Sequence, residues 1–166
     1  MITEPREYKL GNGNGLHYAI DVNFGRAVIV GSYGKIIDLE IPSSIESVPV
    51  TEIVENSFIG QRDLARVFIP KTVESIGENA FANCSSLKNV FIPDETEFVA
   101  YTAFSKCHEK MKFHCNIGSC AHYLAQVRNY ITEPLTCMEA AKSVFEEEFP
   151  TPTFSNPSYG RQAERV

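Results

Sequence analysis

Six side chains able to hold a metal ion crowd into sixteen residues: Cys107, His108, His114, Cys115, Cys120 and His122. Thiolates and imidazoles in such numbers would suit a tetrahedral zinc site. Their spacing matches none of the zinc-finger patterns. Other chemical signatures are missing too: there is no G-x-S-x-G, no H-E-x-x-H, no Walker sequence and no plausible Cys–His–Asp ordering. The GNGNG run at residues 11–15 has no Gly-Lys-Ser/Thr and no helix behind it, so it reads as a flexible lead-in rather than a phosphate loop. Whether the six metal-capable residues can converge depends on the elements that carry them.

Those elements repeat. Phe58, Phe81 and Phe104 are spaced by 23 residues, and so are Ile53, Ile76 and Val99. Val67, Val90 and Phe113 keep the same interval; Leu64 and Leu87 share it, as do Ile69-Pro70 and Ile92-Pro93. An earlier Ile41-Pro42 precedes Ile69-Pro70 by 28, with the five extra residues falling in SSIESVPVTEI. A fixed offset at so many positions is the mark of a repeat architecture. Each unit carries a short strand, L-x-x-V-x-I, that a proline ends, because proline lacks an N–H and restricts the residue before it. A second apolar segment, V-x-x-I, and then A-F complete a coil. One coil cannot bury its apolar face alone. Stacking at roughly 4.8 Å pairs the strands in parallel and sets Phe upon Phe, each full burial contributing up to about 3 kcal/mol.

The stretch LARVFIPKTVESIGENAFANCSSLKNVFIP resembles the BspA-like (treponemal-type) leucine-rich repeats, whose unit runs L-x-x-V-x-I-P-x-x-V-x-x-I-G-x-x-A-F-x-x-C. The likeness spans residues 15 to 130. It implies an α/β solenoid, mainly β: a right-handed array of about three 23-residue units with an N-terminal β-hairpin cap and a C-terminal helical cap. It also implies a bacterial or protist surface protein that adheres or binds other proteins without catalysis. The third unit departs from the pattern at Val99-Ala100, at Lys110 where Leu belongs, and at Cys115, which no proline follows.

Both ends read as caps, which a solenoid needs over its terminal faces. Runs at His17–Val22 and Arg26–Val30 flank an Asn23-Phe24-Gly25 turn, and Ser119 is a natural N-cap for a helix to about Asn129. Thr136 to Glu139 fits a capping box opening a second helix, with Met138, Ala141, Phe145 and Phe149 on one stripe and Glu146, Glu147 and Glu148 as a solvated face. The expected organisation is thus a flexible lead-in at 1–14, the capped solenoid at 15–130, and a C-terminal helix with a mobile tail at 131–166.

The repeat also disposes of the zinc reading. Cys107 aligns with Cys84 in a core slot, Cys115 aligns with inward Ile92, and His114 aligns with outward Phe91. Neighbours on a strand face opposite sides, so His114 and Cys115 do not suit one ion, and neither a metal nor any other cofactor is expected. A Cys84–Cys107 disulfide is geometrically conceivable, but reduced core thiols are the preferred reading, since five cysteines (Cys84, Cys107, Cys115, Cys120, Cys137) leave at least one unpaired.

The outward strand positions form two columns: Asp38, Arg66, Asn89, Lys112 and Glu40, Phe68, Phe91, His114. Aromatics with Arg on an open sheet are typical interface anchors. The sequence therefore predicts an exposed patch of these eight residues that recognises a protein partner, with a glycan as the alternative ligand class. His114 beside Phe91 would make binding pH-sensitive between pH 5 and pH 7. Phe68→Ser with Phe91→Ser should leave the fold standing. Two other readings of the face remain, cross-strand packing and coverage by the C-terminal segment, and an assembly subunit joined through its caps or C-terminal helix is the competing function. Lys plus Arg total 15 against 21 Asp plus Glu, net −6, which argues against a nucleic-acid partner. No run of 18 apolar residues is present to span a membrane, and residues 1–15 lack the apolar stretch of a secretory leader. The protein is expected in the cytoplasm if Met1 is the native start, and at the cell surface or secreted if a leader was removed.

Overall fold

The computed structural model describes residues 1–135. The capping box at Thr136, the helix bearing Met138, Ala141, Phe145 and Phe149, the Glu146–Glu148 run and the terminal tail lie outside the described residues.

The L-x-x-V-x-I segments form short strands β4 (Asp38–Glu40), β7 (Arg66–Phe68), β9 (Asn89–Phe91) and β11 (Lys112–His114). They pair in parallel and in repeat register, Arg66 with Asn89 with Lys112, and Phe68 with Phe91 with His114. The 28-residue step is absorbed between coils, since Asp38 still pairs with Arg66 and Glu40 with Phe68. Pro70 and Pro93 then turn the chain, their carbonyls accepting from Val73 and Thr96 N–H. The V-x-x-I segments form a second set, β6 (Val48–Ile53), β8 (Ser75–Ile76) and β10 (Phe98–Val99), again parallel. The five surplus residues make a small hairpin in which β5 (Ser44–Ile45) runs antiparallel to β6.

The third side of each coil is a turn whose backbone also repeats. Gly60, Asn83 and Lys106, each 23 apart, sit at φ 75°, 61° and 57°. Phe58, Phe81 and Phe104 stack face to face behind this turn, with ring centroids 4.9 and 5.1 Å apart and planes within 3°. Phe113 meets Phe104 edge-on. Lys110 breaks the Leu64/Leu87 column, and the next residue, Met111, is the buried one; its N–H donates to His108 O as that of Leu87 does to Cys84 O.

Strands β2 (Asn14–Asp21) and β3 (Arg26–Tyr33) form the expected antiparallel hairpin, and β3 continues the second sheet by pairing with β6. At the other end α1 (Cys120–Arg128) begins on Ser119, whose Oγ accepts the His122 N–H at 3.2 Å, and stops at left-handed Asn129. Ala121, Leu124 and Ala125 bury its inner side.

Two stretches differ from the sequence expectation. Within residues 1–14, read as a flexible lead-in, Arg6–Gly11 forms β1, antiparallel to β2. The glycine-rich run is the turn between them: Gly11, Asn12 and Gly13 all take positive φ, the conformation glycine adopts most readily. Arg6 also forks onto the Glu46 carboxylate at 2.8 and 3.1 Å, and Glu46 accepts from Tyr18 Oη at 2.7 Å. The second difference lies at 131–133, placed in the C-terminal helix and tail. Ile131–Glu133 is β12, which adds a fifth parallel strand beside β11.

Candidate functional site

The outer side of the five-stranded sheet carries the eight predicted site residues, and the strands bring them together as two columns. The first is a polar ridge. Arg66 donates through Nε and Nη2 to both carboxylate oxygens of Asp38, each at 2.5 Å, and this pairing raises the affinity of the guanidinium for its proton. Asn89 follows, its Oδ1 lying 3.0 Å from His114 Nε2. Lys112 closes the ridge by donating from Nζ to Glu133 Oε1 at 2.6 Å, and this bond holds the Glu133 carboxyl below its usual range. Glu133 was not among the predicted site residues. It arrives on β12, which has none of the repeat's apolar spacing, and only its place one strand beyond His114 could have revealed it.

The second column is a stack of rings. Phe68 lies flat on Phe91 at 4.5 Å, and Phe91 flat on His114 at 4.1 Å. Glu40, exposed, stands beside Phe68 on β4. The predicted orientation holds, since Val67, Val90 and Phe113 point into the core cluster from the same strands. The predicted exposure does not. Phe68 keeps 7%, Phe91 1% and His114 9% of its surface. In a stack this tight each ring covers the face of the next, so Phe91 offers neither face to solvent. The aromatic patch is therefore a second packed layer beside a polar ridge rather than an open apolar surface.

His114 is polarised by this setting. Burial pushes its pKa below the ordinary 6.5; Glu133, whose Oε2 is 3.5 Å from Nδ1, pulls the other way, and the Lys112 charge adds to the lowering. The imidazole is consequently neutral at pH 7. An unfolded chain takes up a proton near pH 6.5 that the folded one refuses, so folding stability falls as pH drops through that value and on toward the lower folded pKa. The slope from one such group is at most about 1.4 kcal/mol per pH unit. Urea midpoints between pH 7.5 and 5.5 should therefore decline more steeply for the native sequence than for His114→Phe, which keeps the ring stack. Equal slopes would refute the assignment.

The six metal-capable side chains are dispersed. His114 is in the ring stack, while Cys115 lies in the core cluster on the opposite side of the strand. His108 Nδ1 accepts from Lys110 N–H and His122 Nδ1 from Gly118 N–H. Cys107 sits in the coil turn above Cys84. Among the described residues, no three His, Cys, Asp or Glu side chains converge on one point.

Stacked coils with parallel strands, an aromatic ladder inside and a cap at each end define a leucine-rich-repeat solenoid. The BspA type leucine rich repeat region matches residues 32–112 and 51–151, in six copies, and the chain belongs to that family. Among solved structures, a T. pallidum leucine rich repeat protein (TpLRR) is similar at 26% identity and a TM-score of 0.53, over 64% of this chain and 55% of that one. A leucine rich cell surface protein from Faecalibacterium prausnitzii aligns at 23% identity and a TM-score of 0.47, over 80% of this chain and 31% of that one. The chain thus spans about half or less of these two structures' lengths. No curated protein matches it. Among the described residues no helix is long and apolar enough to cross a membrane.

Proposed function

We propose that the chain is a non-catalytic binding module that recognises a protein partner through the outer side of its five-stranded sheet, with a glycan as the alternative ligand class. The polar ridge carries this reading. Asp38, Arg66, Asn89 and Lys112 stand in one row on adjacent parallel strands, and Glu133, in register with His114, reaches across to the Lys112 end of the row through its side chain. Strand pairing sets their spacing in advance, so little freedom is lost when a partner docks. Their charges, mixed in sign, would set specificity and encounter rate more than raw affinity. Phe68, Phe91 and His114 brace the ridge from the side, and Glu40 extends it at the β4 edge.

The test removes both members of each ion pair, so that no charge is left orphaned. Asp38→Ala with Arg66→Ala, combined with Lys112→Ala and Glu133→Ala, should leave the thermal transition cooperative. Affinity for a partner isolated from the source organism and quantified by titration should fall at least tenfold, about 1.4 kcal/mol. Undiminished affinity in a folded variant would place recognition elsewhere.

A second reading, a subunit that assembles through its caps, draws on Tyr123 and Val127. These lie one turn apart on α1 and are 61% and 69% exposed. Light scattering separates the two. A monomer favours recognition by the sheet, and an oligomer that dissociates on removal of residues 134–166 favours assembly.

A further inference from the structure

Cys84 and Cys107 are 23 residues apart and occupy the same place in consecutive coils. Each follows a residue in the left-handed conformation, Asn83 and Lys106, so the backbone enters both positions alike. Each thiol reaches back to a phenylalanine carbonyl of the coil before: Cys84 Sγ lies 3.3 Å from Phe58 O, and Cys107 Sγ lies 3.0 Å from Phe81 O. The two sulfurs therefore lie in one column and point the same way. Backbone bonds from Phe81 N to Ala103 O (2.8 Å) and from Asn83 N to Ser105 O (2.9 Å) clamp the two turns together. Equivalent residues at that interval are separated by roughly 4.8 Å, inside the roughly 4.4–6.8 Å Cα separation a disulfide requires.

The two thiols are not alike. Cys84 is buried and Cys107 half-buried, and both are free. The Cys84 S–H can turn toward Cys107 and stabilise its thiolate, and the positive charge of Arg128, whose Nη2 is 3.4 Å from Ser105 Oγ in the same turn, does so too. These effects hold the Cys107 thiol below its ordinary range against the opposing effect of burial. The same contact and full burial push the Cys84 thiol up. A half-buried, acidified sulfur beside a fully buried neutral one is the arrangement of an attacking and a resolving cysteine. Among the described residues neither Cys115 nor Cys120 has such a partner: Cys115 faces the Phe113 carbonyl at 4.0 Å, and its burial pushes the thiol up.

We propose that Cys84 and Cys107 form a hydroperoxide-responsive dithiol that closes into a cystine between the second and third repeat coils. The Cys107 thiolate attacks one peroxide oxygen, the O–O bond breaks, and sulfur is oxidised to sulfenic acid as hydroxide departs. The Cys84 sulfur then attacks that sulfenic sulfur, the S–O bond breaks, and water leaves carrying the Cys84 proton. In sum, two thiols and one hydrogen peroxide give one cystine and two waters. The bond would tie together coils that are otherwise joined only by hydrogen bonds and packing, and it would deprive the unfolded chain of freedom.

Treating the full-length chain with graded hydrogen peroxide, alkylating it and digesting it with trypsin without reductant tests this directly. Peptides 72–88 and 107–110 should appear joined, 2 Da below the sum of their masses, and should separate on reduction. The oxidised protein should melt several degrees higher than the reduced one. In Cys84→Ser, dimedone should instead trap a sulfenic acid at Cys107. Cross-linking of Cys107 to Cys115, Cys120 or Cys137 overturns the proposal. So does a native protein whose exposed thiols have all reacted without the 72–88/107–110 link appearing.

Discussion

Phe81→Ala is expected to cost the protein about 3–5 kcal/mol of folding stability. Its ring is fully buried and lies between two others, Phe58 at 4.9 Å and Phe104 at 5.1 Å, so truncation strips a contact from both. The surroundings cannot collapse into the space. Phe58 N donates to Ala80 O at 2.7 Å and Phe81 N to Ala103 O at 2.8 Å, which pins three successive turns at sheet spacing. A cavity that stays open costs the most, because its lining loses dispersion partners that nothing replaces. Equilibrium urea unfolding measures the loss. A difference below about 1 kcal/mol would mean that the ladder of rings is not what joins the coils.

Changing Phe68 and Phe91 together to serine should be comparably severe, at least about 4 kcal/mol, because two adjacent large side chains are lost and two hydroxyls enter a packed layer. The two costs will not simply add, since the rings touch each other at 4.5 Å. From alternation alone the same pair of changes is expected to be mild. The burial of Phe91 to 1% reverses that expectation. Denaturant midpoints decide between them. A loss under about 1 kcal/mol would return these rings to the surface and make them the anchors of recognition after all.

The contrast shows what the chain makes legible. A period of 23 carries strand positions, register and the Phe58–Phe81–Phe104 column, because each is set by residues that recur. Arg66, Phe68, Asn89 and Phe91 were correctly turned away from the core on the same ground. Alternation assigns a side, however, and says nothing of how tightly side chains on that side cover one another. Stacking at 4.1–4.5 Å is a property of the assembled column. Strand β12 escaped for a different reason: Ile131 and Thr132 are exposed, so it is held by its pairing with β11 and leaves no apolar signature. Strand β1 was hidden by its own turn, whose glycines read as looseness when they are there to reverse the chain. His114 and Glu133, with eighteen residues between them that include a helix, meet only because β11 and β12 are neighbours.

The small hairpin between Ser44 and Ile53 bears on how such a chain can change over time. It takes up five more residues than its counterparts while Asp38 still meets Arg66 on one sheet and Ile53 still meets Ile76 on the other. Coil length and lateral pairing are therefore uncoupled at that corner. A lineage could lengthen or exchange the loop there without disturbing the stacking of any ring, and a protein engineer could graft a peptide into the same corner. What such a graft would have to respect is Glu46, the residue that ties this corner to Arg6 and Tyr18 of the N-terminal hairpins.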